Sequence, residues 1–364
     1  MKITAFETFV VRLPTRRRHT WASNLGSSVG THLILRLDTD EGLSGWGEAP
    51  AIATWGGAHG AYYGETPGTV RHLIEEYLFP TIQARSPLDV GPLHAAMDRA
   101  VKGHPYAKAA VDCALYDLAG KASGLPVYAL LGGQFRDRVA VCHSLGIMEV
   151  EDAVAEGERA AAEGITTIKV KCGVDPRREL AIVRELRRSL GHGVAIRVDA
   201  NEGYRSAREA IRLIGDMDQY DILLAEQPVA DLDAMAEIAR NVSVPIMADE
   251  SAWTRHDLFR IIEKRAAELI SLYTTKPGGL YRAMQVAAVA EAGGIRSDIG
   301  GSIEMGIGNA ANLHLGAAAP IAELASVLPA SRPAEAYHGQ IAGVYYLDDL
   351  LREPLEYADG FLRV

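Results

Sequence analysis

Four apolar, strand-like runs in the second half of the chain end in charged side chains: Ile168 to Lys171, Ile196 to Asp199, Leu223 to Glu226 and Ile246 to Asp249. Lys169 and Lys171 are two residues apart, so on a strand they share a face, which in a barrel can be the inner one. Two neighbouring ammonium groups disfavour each other's charge. At least one of the pair is expected to have a lowered pKa and to serve as a base, unless one lysine reaches solvent at the strand end. Asp199, Glu226 and Asp249 close successive runs, and three converging carboxylates repel one another unless a cation joins them. An oxygen-rich set of this kind suits Mg²⁺, with Mn²⁺ as an alternative, and leaves coordination positions for water and substrate oxygens. Glu250 competes with Asp249 as the third ligand; neighbours on a strand face oppositely, so only one of them coordinates.

These groups need a scaffold that brings strand ends together. The runs recur about every 25 to 30 residues, the length of one βα unit, with amphipathic helical stretches between them. Further strand-like runs at 139–144, 269–273, 294–298 and, more weakly, 321–325 bring the total to eight, the number that closes a parallel (β/α) barrel. Barrel enzymes place catalytic groups at the carboxyl ends of these strands, where the charged residues lie. The first third reads differently. A β-meander over Ile3 to Leu13, Thr31 to Asp38 and Gly45 to Glu48 precedes helical patterns at 69–77, 88–101 and 105–122. The expected fold class is α/β: a (β/α) barrel of modified TIM type over residues 131–330, with an α+β capping domain over 1–130. β-like runs in the tail, 344–347 and 360–364, suggest that residues 331–364 return to the capping domain.

Composition narrows the class. With 364 residues, 48% of them hydrophobic, the chain can bury a large core, and a net charge of −10 argues against nucleic acid or an anionic membrane as partner. No run approaches the roughly 20 apolar residues of a membrane span, and the N-terminus lacks a signal-peptide pattern, so a cytoplasmic location is expected. Cys113, Cys142 and Cys172 have no metal-type spacing and read as buried thiols in a reducing compartment.

Together, Lys169-Val170-Lys171, Asp199-Ala200-Asn201, Glu226-Gln227-Pro228 and Asp249-Glu250-Ser251 resemble the enolase superfamily, in its muconate lactonizing enzyme subgroup, over essentially the full length. Gly45-Trp46-Gly47-Glu48-Ala49, Ala107-Lys108-Ala109-Ala110-Val111-Asp112, Leu130-Leu131-Gly132-Gly133 and Lys276-Pro277-Gly278-Gly279-Leu280 support the likeness. The resemblance implies a Mg²⁺-dependent enzyme that moves a proton next to a carboxylate through a metal-stabilised enolate, acting on a small carboxylic acid as a homo-oligomer. It also implies that Lys171 is the acid/base and that Lys169 tunes it and contacts the carboxylate. One departure limits the chemistry: Tyr273 stands where the family usually has a lysine at the end of the sixth strand, three residues before Lys276. Lys276 could replace that amine only if the loop folds back.

With one effective lysine, a muconate cycloisomerase-like reaction is the leading expectation and β-elimination from a hydroxy acid, a dehydratase reaction, is the main alternative. Racemisation or epimerisation is less expected. Two rivals are a catalytically silent carboxylate binder and a phosphate-binding barrel using Gly300-Gly301-Ser302. In the family the first domain's loops cover the barrel, which makes Arg17 and His19, in a basic segment, and Trp55 and Tyr62, in an aromatic glycine-rich segment, candidates for substrate binding. Asp298 is a candidate for a substrate hydroxyl or amino group or a loop cap, and Glu323 matches the family's carboxylate near the eighth strand. His104, His143, His192 and His314 read as structural.

Overall fold

The computed structural model describes residues 1–26, 29–55 and 64–364. Strands β1 (Ile3–Arg12), β2 (Thr31–Thr39) and β3 (Ser44–Ala49) form the expected antiparallel meander. Helix α1 (Pro67–Leu73) runs through a π turn (Ile74–Leu78) into α2 (Phe79–Ile82), and α3 (Val90–Ala100), α4 (Pro105–Ser123) and α5 (Val127–Leu130) follow. α4 opens on Pro105, whose missing N–H costs nothing in a first helical turn, and stops at Gly124 in the left-handed conformation.

Next comes a short strand, β4 (Arg138–Ala140), and then a parallel sheet of seven strands: β5 (His143–Leu145), β6 (Thr167–Lys171), β7 (Ala195–Asp199), β8 (Ile222–Glu226), β9 (Ile246–Ala248), β10 (Leu269–Leu272) and β11 (Arg296–Ile299). They neighbour one another in chain order. The connecting helices α6 (Val150–Ala162), α7 (Pro176–Leu190), α8 (Ala207–Asp218), α9 (Leu232–Asn241), α10 (Arg255–Lys264) and α11 (Leu280–Ala292) carry the intervening chain, and α12 (Gly306–Ala318) follows β11. The weak eighth run closes the barrel through single bridges rather than a full strand. Leu324 and Val327 donate to Ser297 and Ile299 on one side, and Ser326 donates to Ala140 on the other.

Two strand assignments change. The run expected at 139–144 divides: β5 joins the barrel, while β4 pairs with β13 (Phe361–Arg363), itself paired with β12 (Tyr357–Ala358). The run at 344–347 makes only an isolated bridge, Tyr346 to Thr15, so it ties the tail to the N-terminal segment without adding a strand to the meander.

Buried carboxylates of the N-terminal elements hold the barrel helices. Asp112 of α4 accepts from the N–H groups of Leu280 (2.6 Å) and Tyr281 (3.4 Å) at the start of α11, and its other neighbour is His94 Nε2 at 2.6 Å. Gly279, at φ 124°, permits this: a Cβ there would lie 2.2 Å from the Asp112 carboxyl carbon. Likewise Glu48 of β3 accepts from Met305 (2.8 Å) and Gly308 (2.7 Å) at the start of α12 and from His32 at 2.6 Å. An anionic acceptor on otherwise orphaned N–H groups stabilises a helix start. Asp112→Ala is therefore expected to lower unfolding stability by about 2–4 kcal/mol, since it strands two donors and a buried imidazole. Urea melts of the two proteins check it, and a loss below about 0.5 kcal/mol would show that this cap is dispensable.

Candidate active site

The pleat of β6 turns Lys169 and Lys171 inward, and the parallel register sets Lys171 beside Asp199 and Asp199 beside Glu226. Asp249 follows directly after β9. Lys169 Nζ donates to Glu226 Oε1 at 2.7 Å and lies 2.8 Å from Asp199 Oδ2; Lys171 Nζ donates to Asp199 Oδ2 at 2.6 Å and to Asn201 Oδ1 at 2.9 Å. Asn201 in turn donates to Glu250 Oε1 at 2.8 Å. Asp199, Glu226 and Asp249 are essentially without solvent exposure.

The electrostatics follow from that crowding. Burial works against the charge on Lys169, but the Asp199 and Glu226 carboxylates overcome it and hold its pKa above the usual lysine value. The expected lowering is therefore absent there, because carboxylates, not the second ammonium, are its nearest neighbours. Burial disfavours ionised Asp199, yet Lys169 and Lys171 keep its pKa below the usual carboxylate range. Burial and the Asp199 charge push Glu226 the other way, to about 8. Glu250 is raised by burial and by Asp249 and Asp199.

Lys276 does fold back. Its ammonium, 1% exposed, donates to Asp249 Oδ1 (2.6 Å), Asp249 O (2.9 Å) and Ser271 O (2.8 Å), and sits 4.1 Å above the Tyr273 ring. It neutralises Asp249 from behind and does not line the cavity, so it supplies charge but not a second base facing a ligand. The Lys-Pro-Gly-Gly turn was the available sign, since a proline and two glycines after Lys276 bend the chain sharply. Tyr273 itself does line the cavity and donates its hydroxyl to Asp249 Oδ2 at 3.1 Å. Burial and Asp249 push its pKa well up, so it remains a neutral O–H. Gly300 makes room for it: a Cβ at that position would lie 2.0 Å from the ring.

The cavity in front of these groups is lined by Lys169, Lys171, Asn201, Asp249 and Tyr273 and roofed by His19, Trp21, Trp55 and Tyr345. His19 Nδ1 faces the Arg17 guanidinium at 3.1 Å. An arginine only donates, so Nδ1 accepts and the ring proton resides on Nε2. Burial, with Arg17 and Lys171 nearby, keeps this histidine neutral. Trp55 stacks on Tyr273 with ring centroids 6.3 Å apart. Tyr62 lies outside the described residues. A larger cavity of about 600 Å³, walled by Phe9, Ile34, Trp46 and Ala311 among others, contains none of the strand-end lysines and carboxylates and is not this site.

Three candidates are placed elsewhere. Arg17 is bound at 2.8–3.1 Å by Glu156, which also takes Arg16 and His143, so its guanidinium is already engaged and reaches the cavity through His19. Burial opposes ionisation of Glu156, but His143, Arg17 and Arg16 hold its pKa far below the ordinary range. Asp298 is fully buried inside the barrel, 2.8 Å from Arg197, because a buried guanidinium needs a counter-ion. Glu323 begins the closing segment at the opposite end of the barrel; it is 54% exposed and 3.8 Å from Arg296, the first residue of β11. The phosphate reading loses two of its three N–H donors, since that of Gly300 is taken by Leu272 O and that of Ser302 by Glu304.

Glu304 backs the loop whose Gly301, Ser302 and Ile303 wall the cavity. Burial raises its pKa from 4.5 to about 7 despite the Ser302 N–H. The folded state therefore resists ionising it, so stability falls as pH rises from about 4.5 to about 7 and the penalty is complete above that. Glu304→Gln is expected to stabilise the protein by up to about 3 kcal/mol at pH 8 and by under about 1 kcal/mol at pH 5. Denaturant melts at the two pH values test it; equal effects at both would contradict it.

Among the described residues no three carboxylate, thiol or imidazole groups already cluster as a cation cage. Lys169 bridges two of the carboxylates and Lys276 holds the third, which is how the protein's own charges answer their repulsion. Their chemistry nonetheless fits a hard divalent cation. All are oxygen donors at the carboxyl ends of adjacent strands, and Glu226 Oε2 is buried without a hydrogen-bond partner.

A parallel barrel with lysines and carboxylates at its strand ends, under a meander-and-helix cap, defines the class as a barrel enzyme of carbon-acid chemistry. Comparison with known proteins makes it specific. Residues 5–132 match the mandelate racemase/muconate lactonizing enzyme N-terminal domain, and residues 152–364 the enolase C-terminal domain-like model. The chain belongs to the mandelate racemase/muconate lactonizing enzyme family of the enolase superfamily. It is 31% identical over 366 residues to muconate cycloisomerase 1 of Rhodococcus opacus, covering 99% of this chain and 92% of that protein. It is 31% identical to an N-succinyl-L-Arg/Lys racemase of Bacillus cereus (86% and 84% covered) and 33% identical to a cis-3-hydroxy-L-proline dehydratase of Roseibium aggregatum (88% and 85% covered). The crystal structure of the Bacillus cereus racemase superposes with a TM-score of 0.90 at 28% identity, over 100% of this chain and 93% of that one. A dipeptide epimerase of Enterococcus faecalis, in complex with Mg and the dipeptide L-Leu-L-Tyr, gives 0.89 at 28% identity, with 100% and 97% covered. Members of this family use a divalent metal, and among the described residues no helix is long and apolar enough to cross a membrane.

Proposed function

We propose that this chain is an isomerase or lyase acting on a small carboxylic acid, with Lys171 as the group that moves a proton at the carbon beside the carboxylate. Asp199, Glu226 and Asp249 would hold the divalent cation, Mg²⁺ or Mn²⁺. When bound, that cation supplies positive charge against the carboxylate oxygens as they gain electron density. Lys169 adds a fixed ammonium for the same carboxylate. Lys171, as the free amine, accepts the α-proton while the C–H electron pair moves toward the carboxylate, or as ammonium returns a proton to that carbon. Asn201 and Asp199 orient its Nζ.

The reading rests on one observation: the residue after β10 that shares the cavity with Lys171 is a neutral phenol, Tyr273, and not an amine. A single base acts on one face of the carbon. Cycloisomerisation needs no more than that, and the relative that matches the chain over nearly its whole length carries that activity in its name. A second reading, β-elimination, is favoured by Tyr273, whose un-ionised O–H could protonate a departing hydroxide, and a named dehydratase is among the relatives. The test is a library of mono- and dicarboxylic acids in D₂O with and without Mg²⁺, followed by NMR. Lactone formation supports the first reading and water loss the second. Binding without exchange or turnover across the library would point to a silent carboxylate binder.

A further inference from the structure

Below the carboxylates, the barrel interior holds a buried cation that the reaction does not require. Arg197 lies two residues before Asp199 on β7, on the same inward face, and is 1% exposed. Its Nη1 donates to Ala325 O at 3.2 Å. Its Nη2 lies between two acids, 2.8 Å from Asp298 Oδ2 and 3.7 Å from Glu226 Oε2. Glu226 Oε1 is engaged by Lys169, whereas Oε2 accepts no hydrogen bond. A shift of about one ångström would bring the guanidinium into hydrogen-bond range of that oxygen, and a charge-assisted bond there would be strong. What opposes the shift is Asp298, fully buried and reaching Arg197 from β11 on the far side.

We propose that Asp298 is a positioning residue of the metal centre: by matching the charge of Arg197 it holds the guanidinium off Glu226 and leaves Oε2 to the cation. This rests on the reading that Glu226 is a metal ligand. Loss of an outer partner of a metal ligand typically weakens metal binding about 10- to 100-fold, and here the freed arginine would also compete directly for the ligand oxygen.

The experiment is calorimetric titration of the metal-free full-length protein with Mn²⁺, together with near-UV circular dichroism to confirm folding. Asp298→Asn is expected to weaken Mn²⁺ binding about tenfold or more. The double variant Arg197→Met/Asp298→Asn, which removes the displaced cation as well, should recover affinity to within about threefold of the unmodified protein. A crystal structure of Asp298→Asn should place Arg197 within hydrogen-bond distance of Glu226. Unchanged affinity in a folded Asp298→Asn protein, equal loss in the double variant, or an unmoved guanidinium would each overturn the proposal. If Asp298→Asn does not fold, the double variant alone decides: recovered affinity supports the proposal and lost affinity rejects it. Failure of the unmodified protein to bind Mn²⁺ would instead remove the metal assignment, and this inference with it.

Discussion

Replacing Lys171 by alanine is expected to abolish proton exchange at the substrate's α-carbon, with turnover falling by at least about 10³-fold. The size of the effect follows from what else lines the cavity. Lys169 lies between two carboxylates, Lys276 is buried behind the Tyr273 ring, and the phenol is too weakly acidic for its oxygen to serve as a base near neutrality. None can take over the proton. Lys171→Arg should not rescue activity, because a guanidinium stays protonated at any working pH. Fold and metal binding should survive, since Asp199 keeps Lys169 as its partner. Deuterium incorporation monitored by NMR provides the measurement; exchange that persists in folded Lys171→Ala would assign the base elsewhere.

Chelation is the second large effect. A protein stripped of divalent ions is expected to lose essentially all turnover and to regain it with Mg²⁺, because an α-proton is too weakly acidic for an amine to remove without charge stabilisation at the carboxylate. There is also a signal independent of activity. A cation at 100 times its dissociation constant stabilises the folded state by about 2.7 kcal/mol, so the melting temperature should rise by several degrees. Here that gain includes relief of the burial and the Asp199 repulsion that together push Glu226 up to about 8. Glu226→Gln should lose most of the thermal shift while remaining folded. Full turnover after exhaustive chelation, or a melting temperature indifferent to millimolar Mg²⁺, would show that the carboxylates serve Lys169 and Lys276 as structural counter-ions only.

The first-domain segments require a different account of specificity from the one suggested by their composition. Arg16-Arg17-Arg18 looks like a site for a second anionic group, but the guanidinium groups of the first two are already bound by Glu156 from α6. What reaches the cavity is the neutral imidazole of His19, a single N–H donor among aromatic rings. A ligand group there would be recognised as a hydrogen-bond acceptor rather than as a charge.

Most of the scaffold was readable from the chain alone because its information is local. Alternation marks strands, a repeat of one βα unit counts them, and glycine and proline mark the helix ends. Those patterns located Lys169, Lys171, Asp199 and Glu226 at strand ends, with Asp249 immediately after β9, and the register follows from neighbouring parallel strands. Partner choice was not local. Whether Arg17 meets a ligand depends on Glu156, more than a hundred residues away; Asp298 turns on Arg197 across the barrel, and Lys276 on a loop that bends back to Asp249. The direction of each pKa shift has the same origin, since burial and counter-charges are properties of the assembled interior. A buried charge takes its nearest opposite, and only the tertiary structure determines which one that is.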